Sequence, residues 1–125
     1  MISKIETPNA PKAIGPYSQA IVHNGLVYTS GQIPIDPSTG NVESCNIEVQ
    51  THRVLKNLTE VLKAAGASTE SVIKTTCFLK NMSDFSAFNA VYETVFTEKP
   101  ARSCVAVKEL PKDVLVEIEV TAAVI

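Results

Sequence analysis

Two charged motifs near the C-terminus carry the side chains best suited to chemistry. Pro100-Ala101-Arg102-Ser103-Cys104 sets an arginine at the start of a β-rich run, directly after a proline-fixed turn. A guanidinium is planar, stays charged at any relevant pH and grips a carboxylate with two parallel hydrogen bonds, so Arg102 is a candidate anchor for a small anion. The competing reading is a surface arginine with no task. Further on, from Leu115 to Val124, period-two alternation separates Val116, Ile118, Val120, Ala122 and Val124 from Leu115, Glu117, Glu119, Thr121 and Ala123. The first set is wholly apolar and belongs under a covering layer. The second carries two carboxylates followed by small residues. It reads either as an open, solvated sheet face or as a surface awaiting another subunit. At the rim of such an interface a desolvated carboxylate can act as a base.

Other chemistries find no residues. Cys45, Cys77 and Cys104 include no C-x-x-C spacing, and with only His23 and His52 beside them no zinc ligand set can be written. They read as reduced thiols, mostly buried. His52 falls inside a helical stretch without a ligand partner nearby and reads as a solvated or rim histidine. There is no G-x-G-x-x-G or G-x-x-x-x-G-K-[ST] phosphate loop, and no Ser-x-Gly or Cys–His arrangement of a nucleophile.

The elements that must position Arg102 and the carboxylates Glu117 and Glu119 follow from periodicity. Ser18 to His23 and Leu26 to Ser30 are β-rich runs joined by Asn24-Gly25, a two-residue hairpin signal, and the proline-bearing stretch Ile33 to Gly40 must be a loop. From Asn46 to Ala65 the period becomes helical. Ile47, Val54, Leu55, Leu58, Val61, Leu62 and Ala65 form the apolar stripe, Glu48, Arg53, Lys56, Asn57, Glu60 and Lys63 the wetter surface, and Gly66 the stop. Val72 to Lys80 reads as a strand with Ile73, Thr75, Cys77 and Leu79 on one face. Ser83 is a candidate cap for a second helix whose stripe of Phe85, Phe88, Val91, Tyr92, Val95 and Phe96 reads as core. Two more β-rich runs, Arg102 to Val107 and Leu115 to Val124, close the chain. This order predicts an α+β layer, with two helices covering one face of a mixed sheet.

Composition bounds the function. A chain of 125 residues suits one domain, 1–125, and its 45% apolar content is generous for that length, which suggests surface buried against another copy. A net charge of −2 with only two arginines, Arg53 and Arg102, disfavours nucleic acid as the main partner. The N-terminal segment lacks the apolar run of a signal peptide, and no stretch approaches the roughly 20 apolar residues of a membrane span, so a cytoplasmic setting is expected.

Three blocks of the chain together resemble the RidA family of enamine/imine deaminases. They are Ala13-Ile14-Gly15-Pro16-Tyr17-Ser18-Gln19-Ala20, then Thr29-Ser30-Gly31-Gln32-Ile33-Pro34, then Pro100 to Val105 with Leu110 to Glu119. Asn89 and Ile73-Lys74-Thr75-Thr76 fit the same family. The resemblance implies a chorismate-mutase-like α+β fold, in which another strand can lie between the last two, assembled as a homotrimer with clefts between subunits. It implies hydrolysis of 2-iminobutanoate or 2-iminopropanoate to a 2-keto acid and ammonia, with no metal or organic cofactor. It makes Arg102 the holder of the substrate carboxylate and Glu117 the residue that positions or activates water. Tyr17, Ser30, Gly31, Asn89 and Cys104 would line the cleft. The connection Thr97-Glu98-Lys99 is shorter than in many relatives and bears on the cleft rim beside Arg102. Relatives described as endoribonucleases that inhibit translation supply one alternative function. A trimer that only binds small carboxylates, or acts as a chaperone-like holdase, supplies another.

Overall fold

The computed structural model describes all residues from Met1 to Ile125. Six strands, β1 (Ser3–Ile5), β2 (Ala20–His23), β3 (Leu26–Thr29), β4 (Val72–Leu79), β5 (Ala101–Ala106) and β6 (Val116–Ala123), form one sheet in the order β1-β2-β3-β6-β4-β5. Only β4 and β5 run parallel; the other neighbours are antiparallel. The helices α1 (Ile47–Ala64) and α2 (Phe85–Val95) bury their apolar stripes against one face, which is the expected α+β layer. The last two strands do not touch each other, because β4 lies between them. No helix is long and apolar enough to cross a membrane.

Local sequence explains most of these elements. Asn24 and Gly25 both take positive φ (51° and 77°), the conformation a two-residue hairpin between β2 and β3 requires. Asn46 caps α1 by accepting the Val49 N–H at 3.0 Å, and every residue of the expected α1 stripe is buried. On β6 the alternation holds throughout: Val116, Ile118, Val120 and Ala122 are buried, while Leu115, Glu117, Thr121 and Ala123 are half-buried and Glu119 is exposed on the helix-free face.

Four expectations need correction. Asn57, assigned by its polarity to the wet side of α1, is fully buried and donates from Nδ2 to the carbonyls of Ile33 (3.1 Å) and Ile35 (3.0 Å). It thereby fastens the loop after β3 to α1. Ile73 does not share the buried face of Thr75, Cys77 and Leu79. A β-bulge between Val72 and Lys74 turns Val72 inward and leaves Ile73 48% exposed. Ser83 does not cap α2, which instead continues from a 3₁₀ turn at Met82–Asp84, with no side-chain cap on Asp84. Finally, Val124, placed with the covered face of the last strand, lies beyond β6 and is 39% exposed. The N-terminal segment adds the short edge strand β1, paired to β2 through Lys4 and Ile21.

Replacing Asn57 by Ala removes the buried partner of Ile35 O and one of the two donors to Ile33 O, and urea unfolding is expected to show a loss of about 1–3 kcal/mol. An unchanged midpoint would mean that the Ile33–Ile35 loop is held by other contacts.

Candidate active site

Glu117 leaves β6 on the helix-free face and looks into an open cavity of about 600 Å³ lined also by Tyr17, Ser30, Gly31, Lys12, Ile14 and Lys112. The loop that forms its wall is pinned on both sides of Gly31. Ser30 donates its N–H to Gln19 O (2.9 Å) and its hydroxyl to Ser18 O (2.6 Å). Gln32 and Ile118 exchange backbone hydrogen bonds at 2.8 and 3.1 Å. Gly31 is thereby pressed against the Glu117 side chain. A Cβ at residue 31 would stand 2.8 Å from Glu117 Cδ and overlap the carboxylate, so any other residue there would displace Glu117 from its present position. Gln19, fully buried, accepts the Thr7 N–H (2.6 Å) and donates to Thr7 O (3.1 Å) and Pro11 O (2.8 Å), which binds the N-terminal segment to the same wall. Between these ties Tyr17 and Ile14 stay exposed at the cavity mouth.

Glu117 has no cation within ion-pair distance. Partial burial pushes its pKa above the ordinary carboxylate range, and the Glu119 charge two residues along the same face pushes it further the same way. Such a carboxylate takes up a proton more readily than a solvated one.

Arg102 lies elsewhere. On β5 it is the register partner of the buried Thr75, and its side chain runs along the helix-covered face to α2. There Nη1 donates to Asn89 Oδ1 at 2.6 Å, and the guanidinium carbon lies 4.8 Å from the Tyr92 ring centroid and 5.4 Å from that of Phe85. Arg102, Asn89 and Tyr92 line a second cavity of about 500 Å³, with Glu93, Lys99 and Pro100 at its rim. The short connection therefore ends beside Arg102, where Lys99 takes a positive φ of 54°. Cys104 follows two residues along β5 on the same face, half-buried against the core, and burial raises its pKa. Cys77, its partner on β4, is fully buried and pushed up to about 12. Neither thiol is activated as a nucleophile.

The seven residues singled out from sequence thus fall into two groups. Tyr17, Ser30, Gly31 and Glu117 share one cavity, and Arg102 and Asn89 share the other, with Cys104 next along the strand. Within one chain the groups do not meet. Arg102 aligns with Thr75 and Glu117 with Phe78, on strands either side of β4, so their backbones are separated by about 10 Å along the strands and about 10 Å across them. Their side chains also leave opposite faces. The sequence reading missed Gln19, Phe85 and Tyr92 as parts of this machinery. Gln19 sits in a quoted motif without a role, and Phe85 and Tyr92 are aromatic and read as core. Their one local signal is the spacing 85, 89 and 92, which sets Asn89 on the same stripe of α2. No group of three or more His, Cys, Asp or Glu side chains is close enough to hold a metal ion.

Residues 7–124 match a family model described as endoribonuclease L-PSP. The crystal structure of YyfA from Yersinia pestis, a Rid family protein, superposes with a TM-score of 0.97 at 52% identity, covering 99% of this chain and 100% of that one. The chain belongs to the RidA family. A RutC family protein of Synechocystis is 54% identical over 121 residues, 94% of this chain and 93% of that protein. The 2-iminobutanoate/2-iminopropanoate deaminase of Salmonella typhimurium is 48% identical over 126 residues, 98% of each chain. The two chemical halves found here on opposite sheet faces are thus read in a RidA chain matched over nearly its full length.

Carbon-detected NMR titration of the Glu117 carboxyl is expected to give a midpoint above the ordinary carboxylate range. Glu119→Gln should lower that midpoint without restoring the ordinary value, because burial is the larger cause. A midpoint in wild type equal to that of a solvated glutamate would contradict the desolvated environment.

Proposed function

We propose that this RidA chain hydrolyses small 2-imino acids, such as 2-iminobutanoate and 2-iminopropanoate, to 2-keto acids and ammonia. The reaction would run in clefts between neighbouring copies of a homotrimer. The observation that carries this reading is the pairing of an unneutralised carboxylate of raised pKa with an open arginine fork on the other sheet face. The deaminase name of the Salmonella relative supports the reaction class.

Arg102 of one copy would hold the substrate carboxylate through its free N–H edge, with Asn89 fixing the fork. Glu117 of a neighbour would face the imine carbon. It takes a proton from water as the oxygen attacks the protonated imine, forming a carbinolamine. Glu117 then returns that proton to nitrogen, the C–N bond breaks, and the hydroxyl proton leaves with ammonia as the keto group forms. Because the Ser30 hydroxyl proton is engaged by Ser18 O, Ser30 would serve as an acceptor for water or for the imine N–H. Tyr17, exposed at the cavity mouth, supplies a hydroxyl from the other side. Cys104 contributes packing and edge-strand backbone. Water supplies the attacking oxygen, so the scheme assigns no step to a metal or cofactor.

The helix-free face supports the assembly. Leu115, Thr121 and Ala123 are half-buried there, and Tyr28 and Val105 are each 46% exposed. An RNA-cleaving function finds less support: Arg53 is taken up by Glu43 (2.8 Å) and Asp36 (3.7 Å), which leaves Arg102 as the one arginine without an ion-pair partner.

The test couples a threonine dehydratase to this protein and follows conversion of the transient imine to keto acid. Arg102→Lys is expected to raise KM about 10- to 100-fold, since an ammonium cannot reproduce the fork. Glu117→Gln should lower kcat about 10²- to 10⁴-fold with KM little changed. As the base must be ionised, the acid limb of the wild-type rate should lie above the ordinary carboxylate range. Full activity in either variant would overturn the role assigned to that residue.

A further inference from the structure

The guanidinium of Arg102 is held from three directions by one stripe of α2. Asn89 Oδ1 accepts Nη1 at 2.6 Å, while the rings of Tyr92 and Phe85 lie 4.8 and 5.4 Å from the guanidinium carbon, within the range at which a cation is attracted to a ring face. Residues 85, 89 and 92 recur at helical spacing, so a straight α2 presents all three together. Tyr92 is itself fixed. Its hydroxyl is hydrogen-bonded to Thr75 Oγ1 at 2.7 Å, and Thr75 is the fully buried register partner of Arg102 on β4. A closed circuit results, from the Arg102 backbone across the sheet to Thr75, up through the Tyr92 phenol, and back to the Arg102 guanidinium. The rings take up no N–H donor and Asn89 takes one, so the remaining donors of Arg102, which lines the second cavity, carry no protein partner.

We infer that Tyr92, aided by Phe85, is a positioning residue that preorganises Arg102 for the substrate carboxylate, and is not only a core aromatic. This inference rests on the reading of Arg102 as the carboxylate anchor. An arginine free to sample its rotamers loses that freedom when a carboxylate binds, and the loss weakens binding. One already flanked by aromatic rings and hydrogen-bonded meets the carboxylate with less left to order. The ring, not the hydroxyl, is the part of Tyr92 that touches Arg102, so the two parts are separable by substitution.

The test measures affinity for 2-oxobutanoate, the unreactive keto acid, by calorimetry or ligand-observed NMR, together with KM and kcat in the coupled assay. Tyr92→Leu should weaken keto-acid binding about three- to thirtyfold and raise KM by a similar factor with kcat little changed. Tyr92→Phe, which keeps the ring, should stay within about threefold of wild type. In an Arg102→Ala background, Tyr92→Leu should add no further loss, because the interaction it removes is already gone. Phe85→Leu, at the partly buried start of α2, should show the same pattern more weakly and serves where Tyr92→Leu does not fold. An undiminished effect of Tyr92→Leu in the Arg102→Ala background would overturn the inference and leave Tyr92 a packing residue. Equal damage from Tyr92→Phe and Tyr92→Leu would also overturn it, assigning the effect to the Thr75 contact. If Arg102→Ala itself left keto-acid binding unchanged, the anchor reading would fail first, and this inference with it.

Discussion

The strict alternation of β6 governs the rest of the molecule. Val116, Ile118, Val120 and Ala122 must lie beneath α1 and α2 because they supply the apolar surface the helices cover, and the pleat then sends Glu117 to the other side. β4 is bound on both edges, antiparallel to β6 and parallel to β5, and carries the same division outward. Thr75 and Cys77 face the helices, so their β5 partners Arg102 and Cys104 do too. A one-residue slip in either pairing would bring the carboxylate and the guanidinium to the same face.

This separation has a chemical consequence. A glutamate and an arginine on the same face at ion-pair distance would neutralise each other, lowering the carboxylate's pKa and occupying the fork. Held on opposite faces, Glu117 keeps a pKa raised by burial and by Glu119, and Arg102 keeps its open edge while aromatic rings and Asn89 hold its position. The fold thus keeps the carboxylate and the guanidinium from quenching one another. On the proposed function, they would serve one small substrate where two copies bring opposite faces together.

What local periodicity controls was legible in the sequence: the Asn24-Gly25 hairpin, the α1 stripe, the β6 alternation and the helix–sheet layering. The resemblance added the placement of a strand between the last two, which β4 fulfils. Features set by distant partners were not legible. Asn57 is polar by type, yet its Nδ2 partners are loop carbonyls more than twenty residues earlier, a tie no local period encodes, and its buried Oδ1 has no partner. The bulge at Ile73 depends on the register with β6, and β1 is too short to carry a period. Of the candidate site, Arg102 and the pair Glu117 and Glu119 stand out by residue type and pattern, whereas the choice of Glu117, together with Tyr17, Ser30, Gly31, Asn89 and Cys104, entered through the resemblance. The close approach at Gly31 becomes visible only once the Glu117 carboxylate is seen against it. The division into two faces depends on how β5 docks beside β4 and beneath α2, which no local pattern encodes.

The central claim is that each working site takes Arg102 from one copy and Glu117 from another. Co-expressing Arg102→Ala and Glu117→Gln chains, each inactive alone, tests it directly through imine turnover by purified mixed assemblies. Clefts that join the intact Arg102 of one variant to the intact Glu117 of the other should restore turnover, to about a quarter of the wild-type level for random equal mixing in a closed ring. Mixed assemblies of verified composition that stay as inactive as the single variants would contradict the account.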